Sequence, residues 1–233
     1  MKNNEVRNLT PSVGGSFSFA WRKIFQKSFL PLLLAVIITG LLNGPVGVNW
    51  QGDSGELFNL VWVLPAALFS MAYAFLFLPV IKYGEEYIFL KAMRDEEAEI
   101  KYLFDGFKTK YLKIVLANLI VFALVIIGFI LLIIPGIIVL CRLAFVPYLV
   151  MDKDLEPMKA VEKSWEMTRH HGWKIFWMAL ISFFIFILGI IVFFVGAIIS
   201  FMWIHGAFAT LYQSVLNQSD EENPIPILGV NEV

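Results

Sequence analysis

The amino-acid sequence predicts an all-α, polytopic integral membrane protein with six transmembrane helices in three hairpins, each preceded by a cytoplasmic interfacial amphipathic helix. Composition is the first indication: 59% of the 233 side chains are hydrophobic and 16% are charged, whereas soluble domains average about 25% charged residues. The second is a set of long uncharged runs, and the third is the one-sided distribution of basic residues. A net charge of −1 provides no basic surface for phosphates and argues against a nucleic-acid partner.

The uncharged runs define the spans, because a helix needs roughly 20 apolar residues to cross the hydrocarbon layer. Two runs are too long for one crossing and contain helix-breaking residues, so we interpret each as a tight helical hairpin. The first centres on Pro135 and Gly136, and the second contains Gly189 and Gly196. The six predicted spans cover residues 28–43, 57–82, 112–134, 137–151, 173–189 and 191–216.

The basic residues predict the orientation. Every lysine and arginine except Arg142 lies in, or at the edge of, the segments before the first, third and fifth spans. Because Lys and Arg are retained in cytoplasmic loops, we expect both termini and the two longer loops to be cytoplasmic. Residues 1–27 then form a cytoplasmic amphipathic segment, residues 28–216 form the membrane domain, and residues 217–233 form a flexible cytoplasmic tail.

Three segments that lead into the odd-numbered spans have the apolar spacing of an amphipathic helix. They cover residues 16–25 behind a Ser16 cap, residues 100–111, and residues 157–168, where Ser164 and Trp165 fall on the apolar face. Helices with such faces lie in the headgroup plane of a membrane. We therefore expect each hairpin to enter the membrane from an interfacial helix.

Short segments of similar sequence indicate that the unit of interfacial helix and transmembrane hairpin is repeated. Phe77-Leu78-Pro79-Val80 matches Phe145-Val146-Pro147-Tyr148, and Gly106-Phe107-Lys108 matches Gly172-Trp173-Lys174. Three units of the same orientation would form a parallel-repeat membrane fold. The alternative is that aromatic and basic pairs arise independently at any cytoplasmic membrane boundary.

A longer pattern resembles a known group of proteins. It comprises Leu132 to Ile137, Arg142 to Tyr148, Met158 to Trp165 and His171 to Trp173. Over residues 75–215 the chain resembles the YciC-like uncharacterised bacterial inner-membrane proteins and the membrane domain fused to some glycerophosphodiester phosphodiesterases. The resemblance implies a multi-pass protein of the bacterial cytoplasmic membrane, without a phosphodiesterase site in this chain. It also implies structural roles for the motif residues Pro135, Gly136, Pro147, Ala160, Ser164, Trp165, Gly172 and Trp173.

Arg142 is the most informative single residue, because a guanidinium in a span usually faces the interior of the bundle or water. No acidic residue lies within any predicted span to pair with it. It is therefore a candidate contact for an anion or a lipid headgroup, and bidentate phosphate binding suits arginine. The alternatives are hydrogen bonds to carbonyls near Pro135, or extension of the side chain to the membrane surface.

Three further polar residues within the predicted spans are candidate intramembrane partners, namely His205, Asn118 and Tyr73. We interpret them first as hydrogen-bond partners between helices, although His205 could also act as a proton relay. The sequence contains no catalytic constellation, no metal signature and no cofactor motif. It therefore predicts no catalytic residue, metal site or cofactor.

These observations predict a non-enzymatic integral membrane protein that organises or senses membrane lipids. The alternative is a transporter or permease for a small anionic or amphipathic solute. The lack of a carboxylate within the predicted spans favours the first interpretation, because ion-coupled carriers usually contain one. The expected partners are membrane lipids, a second copy of the chain or a cytoplasmic protein.

Overall fold

The computed structural model describes residues 5–6, 9–26, 28–43, 56–191 and 193–222, and the regular secondary structure of these residues is entirely helical. Within these ranges, five helices are long and apolar enough to cross a membrane. They are Leu64–Met93, Tyr102–Leu131, Ile133–Asp152, Gly172–Ile191 and Val195–Ser219. A sixth candidate is the pair Val13–Gln26 and Phe29–Asn43, which meet at 102°. The predicted all-α class with multiple apolar spans is confirmed, and residues 223–233 of the predicted tail lie outside the described residues.

The helical elements of the described chain are named here in chain order. They are α1 (Val13–Gln26), α2 (Phe29–Asn43), α3 (Glu56–Ala72), a π-helical turn (Tyr73–Phe77), α4 (Leu78–Met93), α5 (Tyr102–Asp105), a second π-helical turn (Gly106–Lys110), α6 (Tyr111–Leu131), α7 (Ile133–Arg142), α8 (Val146–Asp152), α9 (Pro157–Met167), α10 (Gly172–Ile191) and α11 (Phe193–Glu222).

Helix α1 is amphipathic as predicted, but its apolar face packs against protein. The indole Nε1 of Trp203 on α11 donates to the Phe17 carbonyl at 2.7 Å, and Ile24 is 1% exposed. The predicted Ser16 cap is wrong, because Ser16 lies inside the helix. Ser12 occupies the cap, where its Oγ accepts from the Gly15 N–H at 3.2 Å, satisfying a free donor of the first turn.

The second apolar helix continues to Met93, about three turns beyond the predicted end at residue 82. Pro79 would interrupt an α-helix, because it has no N–H and its ring clashes with the carbonyl of the preceding turn. The π-helical turn at Tyr73–Phe77 accommodates it, and the Leu78 N–H donates to the Tyr73 carbonyl. The second amphipathic segment likewise joins its span directly, through the π-helical turn at Gly106–Lys110, rather than forming a separate interfacial helix.

The first tight hairpin turns at Leu132, not at Pro135 and Gly136 as predicted. Leu132 has extended backbone between α6 and α7, and Pro135 lies in the first turn of α7, where a missing N–H is tolerated. Gly136 contributes through packing, because a Cβ there would lie 2.7 Å from the Phe129 ring. In the second hairpin Gly189 packs in the same way against Ser200 of α11.

Helix α9 forms the third predicted amphipathic helix, and its apolar face is buried. Ala160 and Ser164 are 0% exposed, and the Ser164 Oγ donates to the Arg142 carbonyl at 2.8 Å. Trp165 is 44% exposed instead of packing on that face. Its ring lies under the Arg142 guanidinium, 5.8 Å from the ring centroid.

Helices α4, α8 and α11 meet at the polar end of the bundle, which is defined by Arg94, Asp152 and Gln213. The Arg94 guanidinium donates to Asp152 at 2.8 Å and also to Gln213. The side chains of Arg94 and Asp152 are only 17% and 9% exposed. At the opposite end, large side chains such as Ile130 and Ile191 are 78% and 70% exposed. The bundle therefore has a compact polar end and an apolar end suited to contact with lipid.

We expect Gly84→Ala to destabilise the protein, because a Cβ at residue 84 would lie 2.5 Å from the backbone carbonyl oxygen of Leu103. Backbone atoms cannot move aside easily, so the loss in free energy of unfolding should be about 1–3 kcal/mol. Gly40→Ala is the matched control, since no atom lies within 4 Å of a Cβ at that helical position. This control should raise stability by about 0.5–1 kcal/mol. Denaturation of both variants in mixed micelles checks the prediction, and equal effects would contradict it.

Candidate functional site

A central chamber of about 690 Å³ lies between α2, α4, α6, α7, α8 and α11. Its walls are mainly apolar and include Pro79, Val121, Leu140 and Phe201. Its polar lining residues come from five different helices and are Thr39, Asn43, Lys82, Tyr83, Glu85, Glu86, Asn118, Tyr148 and His205. A largely apolar cavity with a few convergent polar groups has the usual composition of a small-molecule site.

Helices α4 and α8 enter the chamber wall in the same way. Each begins with a phenylalanine cap followed by a proline in the first turn, Phe77 with Pro79 and Phe145 with Pro147. Both prolines line the chamber. The similar segments Phe77–Val80 and Phe145–Tyr148 therefore occupy equivalent structural positions. Glu86 of α4 and Tyr148 of α8 follow these prolines on the chamber side.

Glu86 is held by partners from two other helices. Its Oε1 lies 3.1 Å from Nδ1 of His205 on α11, and its Oε2 accepts a hydrogen bond from the Tyr148 hydroxyl on α8. The side chains of Glu86 and His205 are each 13% exposed. A buried carboxylate requires such partners, because an unpaired charge in an apolar environment is strongly destabilising.

Glu85 is more deeply buried than Glu86 and less well satisfied. The residue is 1% exposed, and its Oε1 has no hydrogen-bond partner among the described residues. The Thr39 hydroxyl and the His205 imidazole act on the Glu85 carboxyl electrostatically, although the Thr39 Oγ1 forms no hydrogen bond of ordinary geometry among the described residues. Lys82 is exposed at the edge of the chamber. The chamber therefore offers an unsatisfied carboxylate oxygen that could accept from a cationic donor or hold a proton.

The prediction that no carboxylate lies within a span stays a prediction, but the apolar helices do contain carboxylates. The helix that includes the second predicted span continues past Lys82 through Glu85 and Glu86 to Met93. A sequence signal was present, because the apolar residues Ile88, Phe89 and Leu90 follow the acidic pair after Tyr87. All three are 0% exposed. Apolar residues on both sides of a short charged segment favour a buried charge over a loop.

The structure places the three predicted intramembrane partners around the chamber or beside it. His205 pairs with Glu86, and Asn118 lines the wall. The Tyr73 hydroxyl donates to the Leu42 carbonyl of α2 at 2.8 Å. Arg142 does not line the chamber. It lies in a separate groove with Gly172 and Trp173, on the other side of α7.

Metal binding has no support among the residues that the structure describes, where no group of three or more His, Cys, Asp or Glu side chains could hold an ion. The adjacent histidines occupy different environments, since His170 is exposed and His171 is 7% exposed. Burial lowers the pKa of the His171 imidazole and so favours its neutral form. The imidazoles of His170 and His171 therefore do not form a common metal site.

Comparison with known proteins gives one match. A family model described as a domain of unknown function, DUF7847, matches residues 28–219. No curated protein and no solved structure matched the chain. The matched range includes all six predicted spans, while the resemblance to the YciC-like proteins stays a prediction. Because the match covers most of the chain, this polytopic membrane protein belongs to the DUF7847 family.

Proposed function

We propose that the protein is a non-enzymatic carrier that binds a small amphipathic solute through a cationic group in the central chamber. The observation that carries this proposal is Glu85, a residue 1% exposed that lines the chamber and whose Oε1 has no hydrogen-bond partner among the described residues. Ionisable residues among apolar membrane helices mark solute, ion or proton pathways. A solute ammonium group would supply the missing donor.

The lining residues support a cationic solute over an anionic one. Glu86 is already paired with His205 and Tyr148, so Glu85 is the buried carboxyl group left for a ligand. Arg142, the predicted anchor of an anionic solute, lies outside the chamber. Apolar wall residues such as Leu140 and Phe201 suit the hydrocarbon part of an amphipathic molecule.

The proposal keeps the expectation that the protein is not an enzyme. The described lining residues of the chamber include neither serine nor cysteine, and the His205 imidazole is engaged by a carboxylate. Nucleophilic catalysis requires a nucleophile within hydrogen-bond reach of a base. Organisation or sensing of lipids is the second candidate function, and it is favoured by the groove at Arg142.

Butylammonium tests the site directly, because it combines a cationic donor with a short hydrocarbon chain. We expect saturable binding to the protein in lipid nanodiscs, measured by calorimetry, and no binding of butanesulfonate. Glu85→Gln preserves the side-chain size but removes the charge, so it should weaken butylammonium binding at least tenfold. Glu97→Gln makes the same chemical change at an exposed position and should leave binding unchanged.

Equal affinity in the wild type and Glu85→Gln would refute the proposal, as would preferential binding of butanesulfonate. If Glu85→Gln does not fold, protection of Glu85 from chemical modification in the wild type provides a second test. Butylammonium should slow modification of Glu85 by a hydrophobic carbodiimide, as followed by peptide mass spectrometry. Saturable uptake of butyltrimethylammonium into proteoliposomes then separates a carrier from a static binding protein, because this cation has no neutral form that leaks through lipid.

We also propose that the protein lies in the bacterial cytoplasmic membrane with both termini in the cytoplasm. The basic residues near the polar end, including Arg94, Lys110 and Lys113, support this orientation through the retention of positive charge on the cytoplasmic side.

Cysteine labelling tests this orientation in a Cys141→Ser background. A cysteine at Gln51 should react with an impermeant thiol reagent added to intact cells, because the sequence places it in an external loop. A cysteine at Ser219 should react only after the membrane is opened. The reverse pattern would show that the orientation is inverted.

A further inference from the structure

A separate groove of about 460 Å³ lies between α7 and the start of α10. Its described lining residues divide into two regions. The charged region comprises Arg142, Arg169 and His170, and the apolar region includes Ile134, Ile138 and Phe176. No carboxylate is among these lining residues.

The two guanidinium groups are not neutralised within the described part of the chain. Neither Arg142 nor Arg169 forms an ion pair with a described residue. The Nη1 atom of Arg142 is buried and has no hydrogen-bond partner there, so it does not use the carbonyls near Pro135. A buried guanidinium donor without an acceptor is unfavourable, and an anionic ligand would satisfy it.

The backbone of Arg142 is fixed from the other side. Its carbonyl accepts hydrogen bonds from the hydroxyls of Ser164 at 2.8 Å and Thr168 at 3.2 Å. Trp165 lies under the guanidinium at 5.8 Å. These contacts hold the Arg142 side chain in place before any ligand binds, which reduces the entropy lost on binding.

The apolar region of the groove is open to the surroundings of the bundle. Ile134, Ile138 and Trp173 are 72%, 49% and 75% exposed. Along α7, Ile134 lies eight residues from Arg142, roughly 12 Å at 1.5 Å per residue. The groove thus extends from a cationic region along an aliphatic wall. Exposed tryptophans such as Trp173 are typical of the level of lipid headgroups.

We propose that this groove binds an anionic phospholipid, with the headgroup phosphate between Arg142 and Arg169 and an acyl chain along Ile138 and Ile134. Charge complementarity identifies the headgroup, because guanidinium groups bind phosphate through paired hydrogen bonds. The exposed aliphatic wall identifies a membrane lipid rather than a free phosphate. This inference does not depend on the chamber, from which the groove is separated by α7.

Native mass spectrometry tests the proposal on the full chain. Protein from nanodiscs of phosphatidylglycerol and phosphatidylcholine should retain phosphatidylglycerol preferentially. The double variant Arg142→Ala/Arg169→Ala should lower phosphatidylglycerol occupancy at least tenfold. Arg22→Ala is the matched control, because Arg22 is an exposed arginine outside the groove, and it should retain the lipid. The double variant should still bind butylammonium, so this result is distinguishable from failure of the chamber site.

A measurement on the wild type covers the case in which the double variant does not fold. Phosphatidylglycerol with a photoreactive acyl chain should crosslink to peptides containing residues 134–142 and 172–176. Crosslinks spread evenly over the apolar end would overturn the proposal, as would unchanged occupancy in the double variant. Displacement of phosphatidylglycerol by excess inorganic phosphate would assign the site to a free anion and would also overturn it.

Discussion

A carboxylate buried among apolar helices needs partners, and Glu86 obtains them from α8 and α11. His205 and Tyr148 contact one oxygen each, and removal of one partner from a buried ion pair typically destabilises a protein by about 3–5 kcal/mol. A second set of contacts joins the same helices two turns further along α4 and α11 and one turn further along α8. There, Arg94 donates hydrogen bonds to Asp152 and Gln213. The same three helices are thus fixed together at two levels, and this arrangement forms one wall of the chamber.

The chamber and the groove lie on opposite sides of α7 and have opposite charge character. Among the described residues, the Glu85 Oε1 without a hydrogen-bond partner belongs to the chamber, whereas the Arg142 Nη1 without a partner belongs to the groove. An anionic lipid and a cationic solute could therefore bind at the same time without sharing a residue. Lipid at Arg142 would stabilise the hairpin of α6 and α7, which contributes Asn118, Val121 and Leu140 to the chamber.

The fold class followed from the uncharged runs and the basic loops, because both patterns reflect the bilayer and need no tertiary contacts. The amphipathic face of α9 was predicted for the same local reason. What covers such a face is a tertiary property. The sequence could not indicate that α1 would pack along α11 through Phe17 and Trp203. Nor could it indicate that Trp165 would turn toward Arg142.

The candidate site was predicted only in part. His205 and Asn118 stood out as polar residues in apolar runs, but Glu85 and Glu86 were assigned to a loop because the uncharged run ends at Lys82. The partner of His205 is 119 positions away in sequence, and no local pattern connects the two. Arg142 stood out in the sequence because a charged side chain within a membrane span is energetically unfavourable. Arg169 did not stand out among the other basic residues, and only the fold shows that it lines the same groove as Arg142.

The most direct test of this account is a double-mutant cycle on Glu86 and His205. The free energy of unfolding is measured in mixed micelles for the wild type, Glu86→Gln, His205→Asn and the double variant. If the pair joins α4 to α11, the two effects should be non-additive, with a coupling energy of about 1 kcal/mol or more. Additive effects would contradict the account, because they would mean that the two residues do not stabilise one another.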